Sequence, residues 1–539
     1  MSKQDNRHIS RRDVVRGGIA GAAAVGTSMA AATTDAQARP IPAKWDHDVD
    51  VAVIGYGGAG AAAAITAHDN GAKVLILEKM PQGGGNTRVS AGGILCPTNV
   101  EDAYTYISAL YDYSNSEIDK TIVRLYAEMS VKTVDWVMGL KEGTKLAVYG
   151  GAGYPHVPGS KSMQKYAVQG AARGMAGGAD NLWAVLTYAV EEKRKIQVMT
   201  ETPAQRLVTG AEGEVIGVVA RAKGQDIAIR ARRAVILTTG GYEFDERAKQ
   251  NFYKGFPIHS LGNPGNTGDG IRMAQQIGAS LWHMNGASCP LGIKVPEFEA
   301  AFMMHISQPG FIFVDQDGKR FRNEKAIEAH AGLLAVDFYD TEELKYPRIP
   351  CYAIFDEETR VKGPISALAG LGYAGKRYKW SQDNAAEIDK GWIIKAATLA
   401  ELAGRIKVEP KSLEATVAKW NADVKAGDDT LFHRPIKAPA HEGVSYQELA
   451  RPVWSAPLEK APYYAMVLYP TLLNTQGGPR RNIKAQILDC FDEPIPRLYS
   501  AGELGSMWGV IYQGAGNNAE SIVFGQIAGR NAAAEKPLV

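Results

Sequence analysis

Cysteine is scarce in this 539-residue chain: Cys96, Cys289, Cys351 and Cys490 stand far apart. Their spacing excludes a CxxC redox or zinc motif and a CxxCH haem attachment. Scattered buried thiols are the first expectation, and one or two disulfides the other. Ten histidines include no HxH or HExxH pair and no carboxylate cluster, so no metal centre is expected. Neither sign of charge is in excess: 60 basic and 58 acidic side chains leave a net charge of +2. That balance gives no footprint for nucleic acid. No strongly apolar run reaches the ~20 residues that cross a bilayer. There is no internal repeat.

What is abundant is glycine, at 58 residues, within a chain that is 45% hydrophobic. The apolar share suffices for a large core and two domains. The glycines cluster in short motifs, which points to tight backbone chemistry and not to low complexity.

The first ~40 residues have the three-part anatomy of an export leader. A basic start ends in Ser10-Arg11-Arg12-Asp13-Val14-Val15-Arg16, an Ala/Gly-rich run follows from Gly17 to Ala32, and Ala36-Gln37-Ala38 is a small-x-small cleavage site. The paired arginines and mild hydrophobicity resemble a twin-arginine signal, with valine where phenylalanine is usual. This implies export of the folded chain to the periplasm by that machinery, a leader removed near Ala38, and a mature form without a membrane anchor.

Asp48 to Ile54 reads as a strand, Gly55 to Gly60 as GxGxxG, the alanine-rich stretch to Asn70 as a helix, and Lys73 to Leu77 as a second strand ending at Glu78. This is a βαβ unit. Residues 101–200 read mainly as helix, with a glycine-rich loop from Gly150 to Gly159, and short strands follow between about 197 and 240. Residues 285–455 form a separate stretch, and a terminal helix runs from about Asn517 to Ala534. The expected fold is α/β: a Rossmann-like nucleotide-binding domain of glutathione-reductase type (39–284 and 456–539) interrupted by an α+β cap (285–455), after the leader 1–38.

The GxGxxG follows a strand, opens a helix and has an acid 18 residues beyond its last glycine. Gly55 permits the turn, Gly57 lets the backbone approach a pyrophosphate, and Gly60 lets helix and strand pack closely. The helix N-terminus, with Gly58 and Ala59, offers free N–H groups to phosphate. Glu78 accepts from ribose hydroxyls. A second glycine-rich segment, Gly83-Gly84-Gly85-Asn86-Thr87 and Ser90-Ala91-Gly92-Gly93, can run along a long cofactor. Near the other end, Ala501-Gly502-Glu503 and Gly514-Ala515-Gly516-Asn517-Asn518 precede a helix whose start can face the electron-rich edge of a flavin. Non-covalent FAD is therefore the expected cofactor.

These motifs, with Gly240-Gly241, Asn266 to Gly270 (NTGDG) and Gly318 to Glu324 (GKRFRNE), resemble a family of flavoproteins. It includes soluble fumarate reductases, urocanate reductases and 3-ketosteroid dehydrogenases. The resemblance spans roughly residues 48–535. It implies an FAD domain, an inserted cap and a small carbonyl substrate held between them. It further implies hydride transfer at flavin N5 across a C–C bond, and a separate redox partner such as a quinone, a cytochrome or a soluble acceptor. The cofactor set it implies adds Lys79, Ala204 and Asp269 to the residues above.

The chain departs from fumarate reductases where they hold a dicarboxylate. Asn474-Thr475-Gln476-Gly477-Gly478 replaces His-Thr-x-Gly-Gly, Tyr512-Gln513-Gly514-Ala515-Gly516 lacks the clamping arginine, and Glu328 stands for the proton-delivering arginine. Without those cations, charge-assisted anchoring of fumarate is lost. Tyr512 and the Gly516 N–H resemble the carbonyl-holding pair of ketosteroid dehydrogenases and would stabilise an enolate-like oxygen. Glu328 is the expected acid–base residue, its pKa raised by burial under the cap. Tyr154, His156, His305 and His330 are further candidates, and Lys319 and Arg320 are read as turn anchors. The alternatives are a respiratory reductase of an enoate and a flavin-binding electron carrier without an organic substrate.

Changing Arg11 and Arg12 together to lysine should trap the precursor in the cytoplasm, because twin-arginine recognition distinguishes the two cations. Cell fractionation checks this; an unchanged periplasmic yield would mean another route.

Overall fold

The computed structural model describes residues 41–169, 175–325, 328–366, 378–437 and 454–539. The leader lies outside the described residues. The main sheet is organised around His47–Ile54. Val74–Leu77 and Gln225–Leu237 flank that strand in parallel, and the sheet continues to Gln197–Met199 on one side and Pro494–Ser500 on the other. Val51 pairs with Val74 and Ala234, and Leu498 with Val235, so one sheet joins strands from both ends of the chain. The four residues of Val74–Leu77 are all buried, which is why they read as an unbroken apolar run and not an alternating one. Val215–Ala222 adds antiparallel to Gln225–Leu237 and Ala204–Thr209 to Val215–Ala222; Ala204 pairs with Ala220 there.

Two helices cross on one face of this sheet. Gly58–Asp69 is alanine-rich and buried from Gly58 to Ala67. Gly516–Ala534 packs against it with almost no side chain between the backbones. A Cβ at Gly525 would lie 2.7 Å from Ala62 Cβ, and one at Gly529 would lie 2.3 Å from Ala63 O. The small residues of both helices are thus required by the closeness of the crossing.

The second sheet runs Phe302–Met303, Leu291–Ile293, Tyr463–Leu472, Cys351–Asp356, Phe311–Val314, with His259–Ser260 and Ile394–Ala396 also on Tyr463–Leu472. Its central strand lies beyond residue 455, where the sequence reading ends the cap, and His259–Ser260 lies before 285. Tyr463–Leu472 is a nearly continuous apolar run, as any buried strand can be, so the sequence did not distinguish which sheet it joins. A hairpin of Leu146–Gly150 and Lys165–Val168 also replaces part of the stretch expected as helix and loop.

Within the cap, Arg320 donates to both oxygens of Glu324 (2.8 and 2.9 Å) and of Asp429 (both 2.9 Å). Arg434 reaches Glu324 at 3.3 Å, and both guanidinium groups lie on the Trp420 ring. Arg320 is therefore more than a turn anchor. All four cysteines are free; three are buried and Cys490 is exposed. Among the described residues, no helix is long and apolar enough to cross a membrane.

A buried ion pair fixes the start of the last helix. Arg481 donates to Glu520 and to the carbonyls of Gly502 (3.3 Å) and Leu504 (3.2 Å), while Glu520 accepts from Ser506 (2.6 Å) and the Met507 N–H (2.7 Å). Glu520→Ala would leave Arg481 buried without its counter-ion. Denaturant titration should show a loss of about 3–5 kcal/mol, against less than ~1 kcal/mol for a surface ion pair.

Candidate active site and cofactor cleft

At the first turn after His47–Ile54, each glycine has a separate reason. Gly55 has φ +104°, and a Cβ there would lie 2.4 Å from Thr238 O; one at Gly60 would lie 2.0 Å from Gly55 O. Both are excluded by protein backbone. A Cβ at Gly57 meets nothing nearer than Gly84 O at 3.7 Å. The space above Gly57 is thus a cradle that a side chain would fill, as a pyrophosphate site requires. The Gly58 N–H donates to Thr87 Oγ1 at 3.2 Å, whereas Ala59 and Gly60 have no earlier turn of helix to accept their N–H groups.

Glu78 ends the second strand. Its Oε2 accepts the Tyr56 N–H and its Oε1 the Met80 N–H, both at 2.8 Å. Burial raises its pKa against the pull of these two donors. Each oxygen keeps a lone pair for a ribose hydroxyl. The cleft therefore fits the adenosine diphosphate part of FAD. Gly84 and Gly85 have φ +128° and +49°, which lets the loop turn sharply beside it.

The far end of the cleft is closed by residues from both halves of the chain. Asn518 donates to Ser90 Oγ at 3.3 Å and Gly93 O at 3.0 Å, tying the last helix to the second glycine loop, near Gly92. Asn517 exchanges hydrogen bonds with Gln476 and accepts from Asn474 at 3.3 Å. Asn86 donates to Glu243 and Glu503 at 2.7 and 2.8 Å. Gly240 and Gly241 are packing positions: a Cβ there would meet Asn266 at 2.5 Å and Thr475 at 2.0 Å. Lys79 and Asp269 pair with each other at 2.6 Å, and Asp269 also binds Arg272, so the two tie the end of the second strand to the loop Asn266–Gly270. Ala204 stands in the antiparallel extension of the sheet.

Beside this end lie Glu328, His330 and Tyr512. Glu328 Oε1 accepts from His330 Nδ1 and, at 3.2 Å, from the His330 N–H; its Oε2 accepts the Gly514 N–H at 3.2 Å. A Cβ at Gly153 would come within 2.1 Å of that Oε2. The carboxylate is thus enclosed on both sides. Burial pushes its pKa up, but the His330 imidazole and the Lys165 charge outweigh burial and hold it at about 2. The expected rise does not occur. An enclosed carboxylate of that acidity is a poor proton carrier, and the accessible group is the imidazole, 23% exposed. Its ring edge meets the Tyr512 ring at 5.2 Å.

Tyr512 is buried and its hydroxyl accepts the Asn517 N–H at 3.3 Å. Burial and the Glu328 charge raise its pKa, so it keeps its proton. The Gly516 N–H is not available to a substrate: it donates to Gln513 O at 2.9 Å, and a Cβ at Gly516 would lie 2.5 Å from the Trp508 ring. Gly516 is needed for that packing, which corrects its expected role as an oxyanion donor. Tyr154 comes to the site, its hydroxyl donating to Tyr512 O at 3.4 Å. His156 is exposed, and His305 bonds through its N–H to Ser366 Oγ at 3.4 Å.

Three contributors were not read from sequence. Tyr106 donates to Gln513 Oε1 at 2.5 Å, and Gln513 Oε1 also accepts the Gly153 N–H at 2.9 Å. Glu243 faces Glu503. Tyr106 sits at helical spacing in Val100–Ser114 and reads as core, and nothing in one sequence marks Glu243.

Gly57→Leu should fold and lose FAD, because only ligand space is filled. Gly60→Leu should fail to fold, because its side chain would enter backbone. Circular dichroism and the flavin absorbance of the purified variants separate the two. Full FAD occupancy in Gly57→Leu would mean that the pyrophosphate lies elsewhere.

The FAD binding domain family matches residues 50–519. A fumarate reductase (cytochrome) of Shewanella frigidimarina is 30% identical over 493 residues, covering 87% of this chain and 74% of that protein. A 3-oxosteroid 1-dehydrogenase of Mycobacterium tuberculosis is 32% identical over 323 residues, covering 56% of this chain and 52% of that one. Among solved structures, a 3-ketosteroid delta1-dehydrogenase from Sterolibacterium denitrificans shares the fold with a TM-score of 0.77 at 24% identity, covering 91% of this chain and all of that one (100%). The chain thus belongs to the FAD binding domain family and is an FAD-dependent oxidoreductase.

Proposed function

We propose that the enzyme adds or removes two hydrogens across a C–C bond beside a carbonyl, with His330 as the proton carrier. The observation that carries this reading is the enclosed Glu328 carboxylate bonded to His330 Nδ1 next to the buried Tyr512 hydroxyl. FAD, when bound, supplies or accepts the hydride at the neighbouring carbon. The bond to Glu328 assigns the Nδ1–H tautomer and leaves Nε2 to take the proton from the carbon next to the carbonyl, or to return it. Glu328 is a positioning residue: it orients the ring and stabilises the imidazolium that forms. The Tyr512 hydroxyl already accepts a backbone N–H, so its own proton points to a substrate oxygen and stabilises the charge that develops there.

Fumarate suits this site poorly. Asn474 and Tyr512 supply no positive charge, and Glu328 places a negative one beside the pocket. A second reading, an enoate or oxo acid with a single carboxylate, is favoured by Arg322. Its Nε donates to Asn323 O at 3.1 Å, it makes no ion pair with a described residue, and its charge acts on Tyr154. We also infer that the folded, FAD-loaded chain is exported to the periplasm by the twin-arginine route. Its electrons pass to or from a separate quinone, cytochrome or soluble acceptor. The domain division we infer keeps the inserted cap but extends it to include Tyr463–Leu472.

His330→Ala should keep FAD and lower turnover of a responsive 3-oxosteroid or enone probe by ~10² or more, the scale of a lost acid–base group. Added imidazole should restore part of that loss, and should not restore Glu328→Ala. Wild-type turnover in His330→Ala would contradict the assignment. Fumarate should be reduced with kcat/KM below ~10⁴ M⁻¹s⁻¹.

A further inference from the structure

A second pair of acids, Glu243 and Glu503, lies under the cofactor cleft. Glu243 follows Gly240-Gly241 and is fully buried; Glu503 follows the strand Pro494–Ser500 and is half-buried. Their partners are amides and a threonine. Glu243 Oε1 accepts from Asn86 and Asn266, both at 2.7 Å. Glu503 Oε2 accepts from Asn86 at 2.8 Å, and its Oε1 accepts the Thr475 N–H at 3.0 Å and the Thr475 hydroxyl at 3.4 Å. One oxygen is left over: Glu243 Oε2 is buried without a donor. It converges with Glu503 Oε1 on Gly241, where a Cβ would lie 2.9 and 2.3 Å from the two atoms. Two buried carboxylate oxygens that converge on one spot with no cation between them are favoured when one carries a proton.

We propose that Glu243 and Glu503 share a proton between Glu243 Oε2 and Glu503 Oε1, and that this acid pair is the clamp that positions Asn86 and with it the cofactor loop Gly83–Thr87. The Asn86 amide donates to both acids of the pair and, more weakly, to Leu473 O at 3.5 Å, and its Oδ1 accepts the Asn263 N–H at 2.7 Å, so the pair carries the two short bonds that set its orientation. Loss of the proton places two like charges against one amide and drives the carboxylates apart.

The groups that face the pair leave this balance to the proton. Tyr242 and Tyr253 are kept neutral by burial. Lys249 reaches Glu243 only through Ser260, at 2.9 Å, whose hydroxyl donates to the Glu243 backbone oxygen. Burial raises both carboxyls, Glu243 to about 7, and the Glu243 charge raises Glu503 further, so Glu503 is the last of the two to lose its proton. Both folded-state values are above the ordinary 4.5, so the contribution is fully present below 4.5 and is lost in two steps as pH rises, Glu243 giving up its proton near 7 and Glu503 the last one above that.

Glu243→Gln is the informative variant. Its carbonyl takes the place of Oε1 and its NH2 the place of Oε2, so a fixed N–H replaces the shared proton. The experiment uses the FAD-loaded full-length protein without substrate, so it is independent of the proposed reaction. Infrared difference spectra should show a protonated carboxyl in the wild type below pH 7 that is absent in Glu243→Gln. The FAD dissociation constant, read from flavin fluorescence, should rise with pH in the wild type by up to about tenfold per pH unit. In Glu243→Gln it should stay flat. A wild type without that carboxyl band, or a variant with the wild-type pH dependence, would overturn the proposal.

Discussion

The close crossing of Gly58–Asp69 and Gly516–Ala534 is the constraint on which the site depends. Gly525 and Gly529 lie against Ala62 and Ala63 with no room for a Cβ. That contact brings the glycine turn at Gly57 and the helix start at Asn517 onto one side of one sheet. The parallel pairing of Leu498 with Val235, and of Val51 with Ala234, holds the same two ends in register. Packing of small residues therefore comes first, and the cofactor cleft is its consequence.

Buried charge is balanced in two different ways around that cleft. Arg320 with Glu324 and Asp429, and Arg481 with Glu520, pair opposite charges and fix the cap and the last helix. Glu328 is balanced by an imidazole that is itself partly exposed, and in the proposed reaction the same contact would orient His330 for proton transfer. Glu243 and Glu503 have amide partners and no opposing charge, and there a proton takes the role of the cation.

The cofactor half of the site was legible in sequence because it depends on backbone. Gly55, Gly57, Gly60 and Glu78 sit at spacings set by one strand, one turn and one helix. The catalytic half was legible only in part. Tyr512 and Glu328 were singled out from their place in motifs and lie together in the structure, but Glu328 has a partner the sequence did not indicate, because His330, two residues on, folds back onto it through a short turn, Ala329–Ala331. A single sequence carries no sign of that turn. Gly516 looked like an oxyanion donor from its position, and only the Trp508 ring beneath it shows another need. The sheet that Tyr463–Leu472 joins was not legible for a similar reason: it is a strand by pattern, and its sheet is decided by partners more than a hundred residues away in the chain.

The central claim is that flavin and His330 act together on a C–C bond beside a carbonyl. Anaerobic mixing of the FAD-loaded protein with a panel of saturated ketones, enones and enoates tests it most directly, with flavin absorbance as the readout. The account predicts that at least one saturated ketone bleaches the oxidised flavin, or that its enone re-oxidises the reduced flavin, at a rate that His330→Ala lowers. A flavin that exchanges electrons with small redox mediators yet responds to no member of the panel would contradict it and identify an electron carrier.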